Sequence, residues 1–231
     1  MINNADRVRL LLLSQPENSV IDAADLYQDS GMSVPQSVYY QILDGMTKPG
    51  ELVRLCDGIY YRPRVSRFGR IPLSEKQIVS YYTAGNKGLL VGYRMYVGLG
   101  ITTQISRNAE VLSVRVREQQ KKVGNVSVSR IDLSLNKSVQ STIEALEILQ
   151  NFNTIQDLNM GAFNGYFAKF ADEYNPDAVD YVLARMEYGK STIAFMKAFL
   201  DILNIPNRLD RYISNVSEYS IPDVKKIYAA S

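Results

Sequence analysis

Two glycine-closed turns, Pro49-Gly50 and Asp57-Gly58, stand either side of Leu52-Val-Arg-Leu-Cys56, and Ile59-Tyr-Tyr-Arg62 follows the second. Asp-Gly between two β-prone runs predicts an antiparallel hairpin, because it supplies the positive φ angles that a tight two-residue turn requires. Pro49-Gly50 stops any helix that arrives from the N-terminal side. What precedes this ribbon must therefore be short helices.

Three such helices are legible. Residues 4–14 carry Ala5, Val8, Leu11 and Leu12 at helical spacing and are stopped by Ser14-Gln-Pro16. Asp22 is placed to cap a second helix bearing Ala23, Leu26 and Tyr27, which ends near Ser30-Gly31. Ser33-Val-Pro-Gln36 has the spacing of a capping box, so a third helix is predicted from Val34 to about Met46. Val38, Tyr39, Ile42, Leu43 and Met46 form its apolar stripe. Ser37, Tyr40, Gln41, Asp44 and Lys48 fall on the other side. Helix, helix, capped helix and hairpin is the order of a winged helix-turn-helix.

Arg62 to Arg70 reads as an exposed connector. Beyond it Ser74 caps a helix to about Tyr82, and Tyr93–Leu99 forms another. Ala109 to Glu118 and Val123 to Leu133 alternate as strands, with a turn around Lys121, Lys122 and Gly124. From Ser138 the period becomes helical. The stripes are Val139/Ile143/Leu146/Leu149, Phe163/Phe167/Phe170/Tyr174, Val179/Val182/Leu183/Met186 and Ile193/Met196/Leu200/Leu203, the last stopped by Pro206. The fold class is α+β. A winged helix-turn-helix over residues 1–72 leads into a C-terminal region over 73–231, mixed α/β in 73–136 and helical in 137–231.

The chain has no histidine, which excludes Ser-His-Asp and Cys-His catalysis and imidazole metal sites. Gly189-Lys-Ser-Thr192 resembles the end of a phosphate-binding loop, but Ala184 stands where that loop needs its first glycine. Gly98-Leu-Gly100 lacks a third glycine at Thr103. The carboxylate pairs Glu144/Glu147 and Asp177/Asp180 fit a wet helix face better than a metal site. Tyr39, Tyr60, Tyr61, Tyr81 and Tyr82 read as core filler with one wet end. No enzyme, cofactor or metal is expected. One cysteine and no apolar run near the ~20 residues of a membrane span lead to the expectation of a cytoplasmic protein.

Charge is uneven: residues 1–130 hold 17 Lys+Arg against 11 Asp+Glu, and the remainder 9 against 13. The positive charge concentrates in Lys48, Arg54, Arg62, Arg64, Arg67 and Arg70. In helix-turn-helix proteins the second helix of the motif enters the major groove while the wing follows an adjoining groove or the backbone. Gln36, Ser37, Tyr40 and Gln41 are therefore the candidate base-facing residues, glutamine being able to bond adenine through two hydrogen bonds. The six cations are candidates for phosphate. Four phosphate contacts would give a slope of log K against log salt of about −3.6. Asp44 on the outer face counts against DNA. The alternative is a protein-docking module of the same fold.

Pro49-Gly-Glu-Leu-Val-Arg-Leu-Cys-Asp-Gly-Ile-Tyr-Tyr61 resembles the wing of AbiEi-type antitoxins, the abortive-infection regulators of type IV toxin–antitoxin operons. Gly98-Leu-Gly-Ile-Thr-Thr-Gln104 is similar to that family's Gly-Leu-Thr-Thr-Gln segment. The resemblance covers roughly residues 1–130. It implies an autorepressor that binds inverted repeats in promoter DNA, and a C-terminal region that counters a nucleotidyltransferase-like toxin. Gln36, Ser37, Tyr40 and Gln41 then correspond to the base-facing helix, and Arg54 and Arg62 to the wing. Cys56-Asp57 departs from the family, where a basic residue is common before the turn glycine.

Overall fold

The computed structural model describes residues 3–31, 33–214 and 219–229. The fold is mixed α and β, with three small sheets and helices that dominate the C-terminal part. The chain opens with α1 (Asn4–Ser14), capped by the Asn3 side chain accepting from the Asp6 amide at 2.8 Å. A short strand β1 (Val20–Asp22) follows and runs straight into α2 (Ala23–Asp29). Asp22 ends one element and starts the next, its carboxylate accepting from the amides of Ala24 and Asp25 at 2.9 and 3.2 Å.

The third helix, α3 (Gln36–Thr47), begins two residues later than the Ser33 pattern predicts. The expected capping box is absent, and Pro35 stands at the cap with no side-chain hydrogen bond. The reason is local. The pyrrolidine ring disfavours the helical region for the residue before it, so the helix starts after Pro35 and not at Val34. The carbonyl of Pro35 instead takes the amides of Val38 and Tyr39 at 3.0 and 3.1 Å. Tyr39, Leu43 and Met46 are buried as expected, while Val38 is exposed and Ile42 half-buried.

The hairpin forms from β2 (Val53–Cys56) and β3 (Ile59–Tyr61). Of the two turn residues, Asp57 and Gly58, only the glycine has a positive φ, at 74°. The remaining mismatch is absorbed between Arg54 and Cys56, where the register slips and Leu55 becomes a bulge. β1 pairs antiparallel with the far side of β3, giving a three-stranded sheet in the order β1-β3-β2.

Arg62–Arg70, expected as a connector, is largely a second hairpin of β4 (Arg64–Ser66) and β5 (Gly69–Ile71). Then α4 (Glu75–Thr83) carries the full capping box, with the Ser74 hydroxyl accepting from the Gln77 amide and Gln77 reaching back to the Ser74 amide. A four-stranded sheet in the order β6-β7-β9-β8 is built from β6 (Gly88–Val91), β7 (Ala109–Ser113), β8 (Gln120–Val123) and β9 (Val126–Arg130). The predicted strands 109–118 and 123–133 are both too long. Lys121 and Lys122 lie in β8, and the turn falls at Gly124-Asn125, so β7 and β9 become parallel neighbours.

Between β6 and β7, α5 (Gly92–Gly98) leads into the Gly98–Gln104 segment, which acts as a strap. The buried Thr102 hydroxyl donates to the Gln156 carbonyl at 2.6 Å and accepts from the Gln104 amide at 3.1 Å. The Gln104 side chain donates to Asp157. The C-terminal helices are α6 (Lys137–Asn151), α7 (Met160–Asp172), α8 (Pro176–Leu183), α9 (Lys190–Ile202) and α10 (Val224–Ala229), the last not anticipated.

Three apolar cores result. Val8, Leu12, Ile21, Tyr39, Leu43 and Tyr60 fill the first, beneath α1 and α3. Ile59 and Tyr61 belong to the second, with Ile78, Tyr82, Val111 and Val128. Alternation along β3 thus sends Tyr60 to one side and its neighbours to the other, so this strand is buried on both faces. The third core lies among the C-terminal helices around Phe163, Phe167 and Phe199. Of the tyrosines expected as filler, Tyr39, Tyr60, Tyr61 and Tyr82 are buried and Tyr81 is half-buried.

Half-buried Glu147 on α6 accepts from the Tyr188 hydroxyl at 3.0 Å. Burial pushes its carboxyl above the ordinary value of 4.5, the Tyr188 hydrogen bond opposes this, and the charge of Glu110 adds to it. A folded-state pKa above the unfolded one contributes stability that is complete below pH 4.5 and is lost as pH rises through the raised value. Glu147→Gln is therefore expected to raise the melting temperature at pH 7. The gap to the parent chain should close by about pH 4, read by thermal melts across that interval.

Candidate nucleic-acid interface

The outer side of α3 is open. Gln36, the first residue of the helix, and Ser37, Gln41 and Asp44 are exposed. Their spacing places Ser37, Gln41 and Asp44 in one row, made possible by Tyr39, Leu43 and Met46 anchoring the opposite side. Tyr40 is different. It is half-buried and lines a crevice of about 220 Å³ with Asp22, Asp57, Tyr82, Arg115 and Lys121, where α3 and the first hairpin meet the second core and the 115–121 segment. Its ring packs edge-on against Tyr39 with centroids 5.5 Å apart.

The six cations part company. Arg54 on β2 is bonded to Asp57 at 2.6 Å, and Asp44 also lies close enough to act on it electrostatically. Arg62 turns towards the body. Its guanidinium donates to the carbonyls of Leu13 and Gln15, the latter at 3.1 Å, and to Glu17 at 3.1 Å. It satisfies carbonyls at and just beyond the end of α1 that would otherwise lack partners. Arg62→Ala is accordingly expected to lower stability by about 1–2 kcal/mol in a urea titration. The same change should leave the salt dependence of any duplex binding unaltered.

Arg70 on β5 donates to the Pro49 carbonyl at 3.0 Å, immediately beyond α3. The fit is close: a Cβ on Gly50, whose φ is +79°, would overlap that guanidinium. Glycine is needed here both for the turn and for the approach of Arg70. Lys48, Arg64 and Arg67 are exposed and form no ion pair among the described residues. Of the predicted cations, these three have side chains not already bonded to the protein.

Composition alone did not reveal the second hairpin's apolar residues. Phe68 at its tip is 85% exposed and Val65 on β4 is 70% exposed. The guanidinium of Arg67 lies over the Phe68 ring, 4.7 Å from its centroid. The signal was present in Ser66-Arg-Phe-Gly69, an aromatic held at a glycine-closed tip between short alternating runs.

The remaining chemistry-bearing residues are engaged in structure. Asp177 and Asp180 both meet Arg208, and Asp180 also meets Arg211. Lys190, in the Gly-Lys-Ser-Thr run, donates to the Tyr212 carbonyl at 2.5 Å. Among the described residues no group of three or more His, Cys, Asp or Glu is placed to hold a metal. None of the described helices is long and apolar enough to cross a membrane.

No family model matches the sequence, and no curated protein matches it. Among solved structures the chain is similar to the crystal structure of RV2827C protein from Mycobacterium tuberculosis, with 13% identity and a TM-score of 0.45. That likeness covers 87% of this chain and 78% of the other.

Proposed function

We propose that residues 1–72 act as a winged helix-turn-helix that binds duplex DNA, with α3 in the major groove and Lys48, Arg64 and Arg67 on the backbone. The observation that carries this reading is the exposed side of α3, with Gln36 at its start and Ser37 and Gln41 in the same row as Asp44, on a helix anchored from behind and followed by three uncommitted cations. The order helix, strand, two helices and a hairpin, with the first strand paired to the last, supports this reading. Beyond DNA binding, the resemblance in residues 49–61 and 98–104 supports an AbiEi-type role. In that role the chain represses its own operon at inverted repeats and counters a nucleotidyltransferase-like toxin through residues 73–231.

Gln41→Ala is expected to erase about 1–3 kcal/mol of discrimination between the preferred duplex and one altered at the contacted base pair, while binding to unrelated duplex stays the same. A competition titration with the two duplexes reads this directly. Equal loss on both would assign Gln41 to the backbone instead.

A second reading is favoured by one observation. Asp44 and Asp57 lie around Arg54, so the first hairpin and the adjoining helix face carry mixed charge rather than positive charge. A surface of that kind suits a protein partner. Gel shifts with the intergenic DNA upstream of the gene separate the two readings, because a docking module would leave that DNA unshifted at physiological salt.

A further inference from the structure

The β4–β5 hairpin has no core of its own. Paired strands of three residues are marginal in water, and this pair is held at its root by two bonds. The Arg64 amide donates to the Asn18 side chain at 2.9 Å on one side, and Arg70 donates to the Pro49 carbonyl at 3.0 Å on the other. The tip is fixed separately. Ser66 accepts from the Phe68 amide at 3.2 Å and donates to the Gly69 carbonyl at 3.0 Å, with Gly69 at a φ of 107°. A rigid turn therefore presents a phenyl ring to solvent at 85% exposure, beside Val65 at 70%.

Scattered exposed apolar residues are ordinary and ask for no explanation. Here, however, the two most exposed large apolar residues described lie three positions apart on one hairpin. From Arg62 to Leu73 the chain contains four arginines and no carboxylate. An apolar tip flanked only by cations is complementary to a polyanion that offers an apolar slot. The step between stacked base pairs is such a slot, and proteins that enter the minor groove open it with a phenylalanine or leucine wedge while arginines meet the phosphates.

We infer that the β4–β5 hairpin is a DNA wedge: Phe68 enters a base step from the minor groove, and Arg64 and Arg67 anchor it on the flanking phosphates. This rests on the DNA-binding reading above and adds a consequence, that the bound duplex is bent. The root of the hairpin lies against Pro49, just past the end of α3, so the wedge is tied to the helix that the DNA-binding reading places in the major groove. The Arg67–Phe68 stack is the resting state, and the ring exchanges the guanidinium face for base faces on insertion.

The test uses the full chain and a duplex of the upstream intergenic sequence carrying a donor and an acceptor dye at its ends. The wild-type chain should shorten the end-to-end distance by a bend within the range of roughly 20–90° known for wedges. Phe68→Ala should abolish the bend and weaken binding by about tenfold, whereas Phe68→Leu should keep most of both. Phe68 is exposed, so neither change threatens folding. A bend that survives Phe68→Ala overturns the wedge and leaves the α3 reading intact. Failure of the wild-type chain to bind any duplex overturns both. If the chain instead binds vesicles containing phosphatidylserine in a Phe68-dependent way and leaves the duplex straight, the hairpin is a lipid contact and the inference is wrong.

Discussion

Replacing Arg64 and Arg67 together by alanine is expected to weaken duplex binding about 60-fold at ~0.1 M salt and to flatten the salt slope by about 1.8. Each cation on a phosphate releases condensed counterions, worth about 0.9 in slope, and at that salt each such term is close to a factor of eight. Lys48 would then be left as the sole uncommitted cation of the set, with a residual slope near −0.9. Folding should not change. The Arg64 side chain makes no bond to the body, and Arg67 touches only the adjacent Phe68 ring. Melting curves that coincide with the parent's, together with the flattened slope, are the expected pair of results. An unchanged slope would remove the second hairpin from the interface.

Phe167→Ala is expected to destabilise the chain by about 3–5 kcal/mol. Phe167 sits on α7 at 2% exposure, stacked on Phe199 of α9 with centroids 4.9 Å apart and tilted against Phe163 at 4.7 Å. Alanine would leave a ring-sized gap, and the helices around it are too constrained by Phe163, Phe170 and Phe199 to close over it. Against a total stability of about 5–15 kcal/mol, the loss would lower the melting temperature by roughly 6–20 °C. Urea unfolding followed by tyrosine fluorescence reads the change. A cost below about 1 kcal/mol would mean that the aromatic cluster is not the centre of the helical region.

These two experiments touch different parts of the chain, and the sequence spoke with different clarity in each. The C-terminal stripes were legible because phenylalanines at positions 163, 167 and 170 repeat with the helix period over several turns. Ser74 announced α4 correctly, yet Ser33 and Gln36, read as a capping box, failed. The difference is Pro35, whose ring disfavours the helical conformation at Val34. β1 was invisible because Val20-Ile-Asp22 is too short to show a period and leads directly into a helix cap. The parallel pairing of β7 with β9 depends on contacts remote in sequence, which no local pattern encodes.

At the candidate site the outward row of α3 was readable from amphipathicity. The division of labour among the arginines was not. Arg62 bonds backbone carbonyls far away in the chain, and Arg70 bonds the carbonyl of a proline. Any residue type can offer a carbonyl, so nothing in the surrounding sequence marks these as fastenings. The bed for Arg70 left one trace, Gly50, but in the sequence it reads only as half of a turn.

The central claim is that an exposed helix face and a hairpin of free cations grip one duplex, and a salt titration of full-chain binding to the upstream intergenic duplex tests it most directly. With Lys48, Arg64 and Arg67 on phosphates, the slope of log K against log salt should be about −2.7, with tighter binding than to a scrambled duplex. A slope near zero, or no binding at all, would contradict the account.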